Sequence, residues 1–338
     1  MIKKTFWYLF MTNFYIPPNY HSSLSVLDTQ IAIYTLKQNF AKSFSRKLSL
    51  THVEAPLFVS ENSGLNDTLN GIELPVSFHT NELSLQIVHS LAKWKRLALK
   101  NYGFSNGEGL YTNMRALRTH ETPDNTHSIL VDQWDWEQII SPSERNLQKL
   151  EKTVNLIYSA IKETEYFMIA KYPMLSEILP PKITFINSTD LESLYPNCCA
   201  KTKEYLFAKK YGAIFIEQIG GSHHENRAPD YDDWTLNGDL IFYYPLLDTA
   251  LEISSMGIRV DKTSLLRQLK ESDCEHYVKQ YFHQMLLNEN LPLTIGGGIG
   301  QSRLCMFLLQ KAHIGEVQPS IWPEEILNTA LYNEIFFL

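Results

Sequence analysis

Four short stretches of this chain gather the side chains that handle phosphates, carboxylates and cations. The first is His89-Ser90-Leu91-Ala92-Lys93-Trp94-Lys95-Arg96. At helical spacing Lys93 and Arg96 share one face and Lys95 points elsewhere. A helical lysine is ordinarily solvated; the chemical alternative is that Lys95 meets a carboxylate as a point charge. In the second stretch Arg115 and Arg118 precede a polar loop, and Gln133, Asp135 and Glu137 alternate on the returning segment. Alternation in an extended chain sends those three to one face and Asp132, Trp134 and Trp136 to the other. Carboxylates and an amide facing arginines suit a zwitterionic ligand, because anionic groups hold an amino acid's ammonium while guanidinium forks hold phosphate or carboxylate. A salt-bridged solvent face of a sheet produces the same pattern.

The third stretch runs from Arg227-Ala228-Pro229-Asp230-Tyr231-Asp232-Asp233-Trp234 through Asn237-Gly238-Asp239 to Glu252-Ile253-Ser254-Ser255-Met256-Gly257-Ile258-Arg259. So many carboxylates repel one another unless a cation neutralises them. Asp239 and Glu252, on neighbouring strands, offer the hard oxygen donors that suit Mg²⁺ carrying a nucleotide's phosphates. The adjacent His223-His224 lacks the spaced partners of a zinc site and reads as loop. The fourth stretch, Gly296-Gly297-Gly298-Ile299-Gly300-Gln301-Ser302-Arg303, is neither a Walker loop nor a dinucleotide fingerprint in its usual setting. Glycines opening a helix let a ligand approach the backbone, and Arg303 in the first turns can stack on a base or pair with phosphate.

These stretches have to be positioned by the elements between them. Ile33, Leu36, Phe40 and Phe44 recur at helical spacing within 27–48, and residues 51–57 then alternate up to a proline, which predicts a helix feeding a strand. Residues 83–88 read as a strand and 91–99 as a short basic helix. Two extended runs, 109–117 and 127–136, predict a hairpin whose polar loop is too long for a tight turn. Ser141-Pro142-Ser143-Glu144 starts a helix in which Leu147, Leu150, Val154, Ile157 and Ile161 mark the buried face. A mixed section follows, with strands at 183–186 and 213–216 and helices from about Asp190 and near 203–211. The pattern then predicts an exposed loop over 220–234, strands at 240–244 and 250–254, and a glycine-rich turn at 296–300 entering a helix at 304–310.

Composition narrows the function further. A chain of 338 residues with 44% hydrophobic content can bury a large core, and no repeat or low-complexity linker divides it. One catalytic domain over 20–338 is expected, after an extension over 1–19 that is partly disordered. The net charge of −7 and the absence of a long basic run argue against a nucleic-acid partner. Cys198, Cys199, Cys274 and Cys305 have no metal-ligand spacing and read as free thiols of a reducing, cytoplasmic compartment. The apolar run Phe6–Met11 is too short for a signal peptide, Met11 is an alternative start, and no later stretch is long enough to span a membrane.

Taken together, a helix and strand ending in proline, an arginine hairpin and a terminal glycine-rich strand-helix with an arginine resemble the three motifs of class II aminoacyl-tRNA synthetases. From about Tyr20 onward the chain is more closely similar to the ammonia-dependent asparagine synthetases, in 89–96, 107–111, 131–137, 227–234, 252–261 and 294–303. The resemblance implies an α+β fold, with an antiparallel β-sheet flanked by helices as in the class II catalytic domain. It further implies a homodimer with 27–56 at or near its interface, and no anticodon-binding domain. The implied reaction converts L-aspartate, ammonia and ATP to asparagine, AMP and pyrophosphate through a β-aspartyl adenylate.

Carried onto this chain, the resemblance places Arg118 and Arg303 on ATP, beside Gly298 and Gly300, with Asp239 and Glu252 on Mg²⁺. Arg115 competes for the role of Arg118. Lys95, Gln133, Asp135, Ser255 and Arg259 form the implied aspartate pocket, in which Lys95 and Arg259 clamp the α-carboxylate and Asp135 pairs with the α-ammonium. Asp67, in Asn66-Asp67-Thr68-Leu69-Asn70-Gly71, and Asp232 are the candidates for holding ammonium and taking its proton. The chain departs from longer members of the family around 220–226 and between Trp234 and Asn237. A glutamine-dependent synthetase would need an exposed N-terminal cysteine, whereas Ile2 follows Met1 and Thr12 follows Met11. A non-catalytic paralogue that binds amino acid or nucleotide is the remaining alternative; such proteins typically lose an arginine or a metal carboxylate, and none is missing here.

Overall fold

Alternating apolar and polar residues build the central layer of the molecule. The structure is a computed structural model describing residues 14–67, 74–221 and 227–338. The pair His223-His224 and residues 68–71 therefore lie outside the described residues. Eight strands form the main sheet: β1 (Leu50–His52), β5 (Gly109–Leu117), β6 (Leu130–Ile139), β7 (Thr184–Asn187), β8 (Ala213–Glu217), β9 (Asp232–Tyr244), β10 (Thr249–Arg259) and β11 (Thr294–Gly300). Their spatial order is β1-β5-β6-β11-β10-β9-β8-β7. The central neighbours from β5 to β8 run antiparallel, as expected, and β1 and β7 add a parallel strand at each edge. A smaller sheet, β2 (Phe58–Ser60), β4 (Ser84–Ile87) and β3 (Ser77–His79), flanks it.

One face of the main sheet is the core. The helix α1 (Val26–Leu48) starts at Ser25, whose hydroxyl accepts from Asp28 N at 3.1 Å, and lays Phe40 and Phe44 against the sheet. Trp134 and Trp136 of β6 meet them there, with ring centroids 4.5 Å apart for Phe40–Trp134 and 6.1 Å for Phe44–Trp136. The helices α3 (Leu147–Lys171) and α8 (Gln301–Leu308) complete this layer with Val154, Ile157, Leu304 and Phe307. The opposite face is covered in two pieces. The helix α2 (Ala92–Asn101) lies over β5 and β6, while α4 (Ser188–Leu194) and α5 (Ala200–Tyr211) lie over β8 and β9. Between them lies a polar trough whose charged side chains are buried against one another.

Two expectations are corrected here. Residues 296–300 are a strand, not a turn, with α8 starting directly after Gly300. The exposed loop expected over 220–234 is wrong for its second half. Ala228, Asp230, Asp233 and Trp234 are buried and β9 already begins at Asp232, because ion pairs with distant partners offset the burial of these charges. Periodicity also missed α6 (Lys262–Glu271), α7 (Tyr281–Leu287) and α9 (Glu324–Tyr332).

Candidate active site

The floor of the trough is glycine. Pairing places Gly296 opposite Glu137, Gly298 opposite Asp135 and Gly300 opposite Gln133. On β11 every second residue therefore turns a bare backbone toward the trough, while Ile295 and Ile299 point into the core. A Cβ at Gly296 would run into the Glu137 carboxylate and one at Gly298 into the Gln133 amide. The glycines thus let the side chains of β6 lie across the middle of the sheet. The same register brings Ser255 opposite Gly298 and Asp239 opposite Ser255, so one face collects Gln133, Asp135, Glu137, Ser255, Arg259 and Asp239.

Charges from α2 and β10 close this row. Three of the four cations of α2, Lys93, Lys95 and Arg96, are buried, Lys95 completely. Its ammonium donates to Asp135 Oδ1 and to the Gly297 carbonyl at 3.0 Å, and lies 3.9 Å from Glu137 Oε2. Burial lowers the Lys95 pKa, with Asp135 opposing. Arg259 grips Glu137 through Nε at 2.9 Å and Nη2 at 2.7 Å, and gives Nη1 to Asp232. Burial pushes the Glu137 carboxyl up, but Arg259, Lys95 and the Thr294 hydroxyl at 2.6 Å hold it below its ordinary value. Asp232 ends above its ordinary value, since burial outweighs Arg259. Asp67 lies at the α2 end, its carboxylate accepting the Ser90 hydroxyl at 3.1 Å.

At Gly298 the trough meets a solvent-open cleft lined by Arg118, Arg303, Glu252, His127, Gln133 and Gly300 among others. Arg118 Nε is buried there and meets no hydrogen-bond partner among the described residues. Arg303 Nη1 donates to the Glu252 carbonyl at 2.9 Å. Arg115, the competitor of Arg118, lies on the other side of the hairpin, in a groove with Lys37, His52 and Tyr111. A guanidinium with an unengaged nitrogen beside an open cleft is suited to an incoming anion.

The family model for aspartate–ammonia ligase matches residues 27–334. The aspartate–ammonia ligase of Clostridium perfringens is 57% identical over 336 residues, covering 97% of this chain and all of that protein. That of Ruminiclostridium cellulolyticum is 51% identical, covering 95% of this chain and 98% of its own. The chain belongs to the aspartate–ammonia ligase family. In fold it resembles asparaginyl-tRNA synthetase from Pyrococcus horikoshii complexed with asparaginyl-adenylate, at TM-score 0.65 and 13% identity over 87% of this ligase and 70% of that chain. Aspartyl-tRNA synthetase from Entamoeba histolytica matches at TM-score 0.59 and 12% identity, over 94% and 66% of the two chains.

The surroundings of Asp239 and Glu252 bear on cation binding by this ligase. Asp239 Oδ2 accepts from Arg227 Nη2, but Oδ1 is buried without a partner among the described residues. Burial, with Glu252 adding to it against Arg227, lifts the Asp239 carboxyl to about 6. An unengaged carboxylate oxygen beside a second carboxylate fits a divalent cation. Among the described residues no site gathers three His, Cys, Asp or Glu side chains, so such an ion would complete its shell with phosphate oxygens and water.

The structure thus brings twelve of the residues singled out in the sequence, Lys95, Arg118, Gln133, Asp135, Asp232, Asp239, Glu252, Ser255, Arg259, Gly298, Gly300 and Arg303, onto one trough and its adjoining cleft, with Asp67 at its α2 end. Sequence reasoning placed Glu137 on this face without giving it a role, although it is the main partner of Arg259. Arg227, which holds Asp239 and donates to the Ser255 hydroxyl at 2.9 Å, was also missed. The density of carboxylates in 227–239 was the available signal for a buried cation.

Proposed function

We propose that the trough holds aspartate and the adjoining cleft holds ATP, and that the glycine strand between them is where the two react. As a member of its family the chain is an ATP-dependent enzyme that makes asparagine from aspartate and ammonia. The observation that carries the assignment of parts is the register about β11, which sets Gln133, Asp135 and Ser255 around Gly298, where the trough meets the cleft lined by Arg118 and Arg303. In this reading the aspartate α-carboxylate lies between Lys95 and Arg259, its α-ammonium on Asp135, and Gln133 and Ser255 line its sides. The β-carboxylate then points across Gly298 toward the α-phosphorus of ATP.

A carboxylate resists attack by an amine, so one of its oxygens must become part of a leaving group. The β-carboxylate oxygen bonds to the α-phosphorus and pyrophosphate departs, giving a β-aspartyl adenylate. Arg118 and Arg303 neutralise the phosphate charge as it shifts. Asp239 and Glu252 would hold Mg²⁺, which when bound supplies further charge neutralisation at the phosphates. Ammonia then attacks the acyl carbon and AMP leaves. Ammonium is not a nucleophile until it loses a proton, which Asp67 or Asp232 accepts in this reading; the upward shift of Asp232 supports it as a base.

The exposed Leu27, Ile31 and Tyr34 form an apolar stripe along α1 that supports a homodimer through this helix. The described cysteines are all free, in keeping with a cytoplasmic site of action. No described helix is long and apolar enough to cross a membrane. The test is AMP release by the purified protein with ATP, Mg²⁺ and aspartate, with and without ammonium, beside a reaction containing glutamine. Ammonium-dependent AMP and asparagine are expected, with little response to glutamine. Equal rates with glutamine, or AMP without asparagine, would overturn the reading.

A further inference from the structure

Beside the trough lies a buried ion cluster of Lys93, Asp230 and His283, none of which is assigned to a substrate. Asp230 is wholly buried, and its Oδ2 accepts from Lys93 Nζ at 2.7 Å and faces His283 Nε2 at 3.0 Å. Burial by itself pushes this carboxyl up, but Lys93 and His283 hold it well below the usual carboxylate range. The three come from α2, from the segment entering β9 and from α7, so the cluster ties together elements far apart in the chain.

Its place relative to the site is set by two short spacings. Lys93 and Lys95 are two residues apart on α2, and Asp230 and Asp232 two residues apart at the start of β9. Ion pairs and these two backbone steps link them into a ring: Lys95 to Asp135 and, at 3.9 Å, to Glu137, Glu137 to Arg259, Arg259 to Asp232, and Asp230 back to Lys93. When aspartate binds as proposed above, Lys95 and Arg259 must share their charges with its α-carboxylate, and their bonds to Asp135 and Asp232 loosen. Lys93–Asp230 is the link of the ring whose members face no substrate. Gln268 holds the same segment by its backbone, donating to the carbonyls of Pro229 at 3.0 Å and Asp232 at 2.9 Å, but does not join it to α2.

We infer that Asp230, anchored by Lys93 and His283, is a positioning residue that keeps Asp232 and Arg259 in register with Lys95 while aspartate occupies the trough. The inference rests on the assignment of Lys95 and Arg259 to aspartate. Loss of the anchor lets the clamp open on the aspartate side and leaves the nucleotide cleft, at the other end of β11, unaffected.

The experiment is steady-state kinetics on the double variant Lys93→Met/Asp230→Asn, which removes both buried charges together and avoids leaving one unpaired. The expected result is a rise of about tenfold or more in KM for aspartate, since small misplacements of a clamp are costly, with KM for ATP within twofold of wild type. An unchanged KM for aspartate, or equal rises in both constants, would overturn the inference, because general loosening does not select one substrate. Should the double variant not fold, His283→Leu is read in the same way, with a smaller shift of the same selectivity expected and no shift counting against it. Arg259→Lys is run in parallel. If it raises KM for aspartate and the anchor variants do not, the anchor alone is refuted; if it too leaves that KM unchanged, the placement of aspartate is refuted.

Discussion

Replacing Arg118 by methionine separates function from stability in a way the structure makes quantitative. The variant keeps the apolar stem and removes the guanidinium, whose Nε is buried without a hydrogen-bond partner among the described residues. An unsatisfied buried donor costs about 1–3 kcal/mol, so its removal from the ligand-free protein is neutral or stabilising. For 338 residues the unfolding entropy is about 0.7 kcal/mol/K, and the gain appears as a Tm between unchanged and about 4 °C higher. Adenylate formation moves the other way. Losing one preorganised contact to the phosphate lowers the rate by about 10²–10³-fold, or about 3–4 kcal/mol of transition-state stabilisation. The assay is aspartate-dependent exchange of pyrophosphate into ATP without ammonium, beside thermal melts with and without ATP. Exchange within tenfold of wild type would refute the catalytic role of Arg118. A Tm lower by more than about 5 °C would show that the side chain supports the fold.

Three further outcomes follow from particular side chains. Asp67→Ala should leave pyrophosphate exchange near wild type and slow asparagine formation, with a higher KM for ammonium; an unchanged KM for ammonium removes Asp67 from the proposed proton transfer. Asp239→Asn should lower exchange by about 10²-fold and raise the Mg²⁺ concentration for half-maximal rate. In wild type that concentration should rise as pH falls below about 6, where the Asp239 carboxyl takes up its proton; a pH-independent Mg²⁺ requirement argues against Asp239 as ligand. Glu217 tests burial alone, because its Oε1 has no partner among the described residues and burial, with Glu151 adding to it, lifts its carboxyl from 4.5 to about 7. The folded state therefore holds a proton that the unfolded state has lost, and stability falls as pH rises between these values. Glu217→Gln removes that loss and should exceed wild type by about 1–2 kcal/mol at pH 8, after allowance for solvent screening, with near parity at pH 4. A stability difference that is the same at both pH values contradicts the burial argument.

The sequence by itself determined which side chains share a face. Period-two alternation in β6 separates Gln133, Asp135 and Glu137 from Trp134 and Trp136, and the structure keeps that division because the tryptophans are driven into the core with Phe40 and Phe44. Resemblance to a family then supplied the roles. Tertiary structure alone decided who meets whom. Glu137 and Arg259 are 122 residues apart, and Lys93 and Asp230 are 137 apart. Local periodicity carries no information about such pairs, which depend on β11 inserting between β6 and β10. The same insertion explains why 296–300 reads as a turn. Glycines signal flexibility in a local window, yet here they are held extended by a strand on each side, and their missing side chains are what let Gln133 and Glu137 lie across the sheet. The buried charges of 227–234 read as a solvated loop for a related reason: burying a carboxylate is tolerable only where a cation is waiting, and Lys93, Arg145 and Arg259 arrive from other elements once the chain has folded.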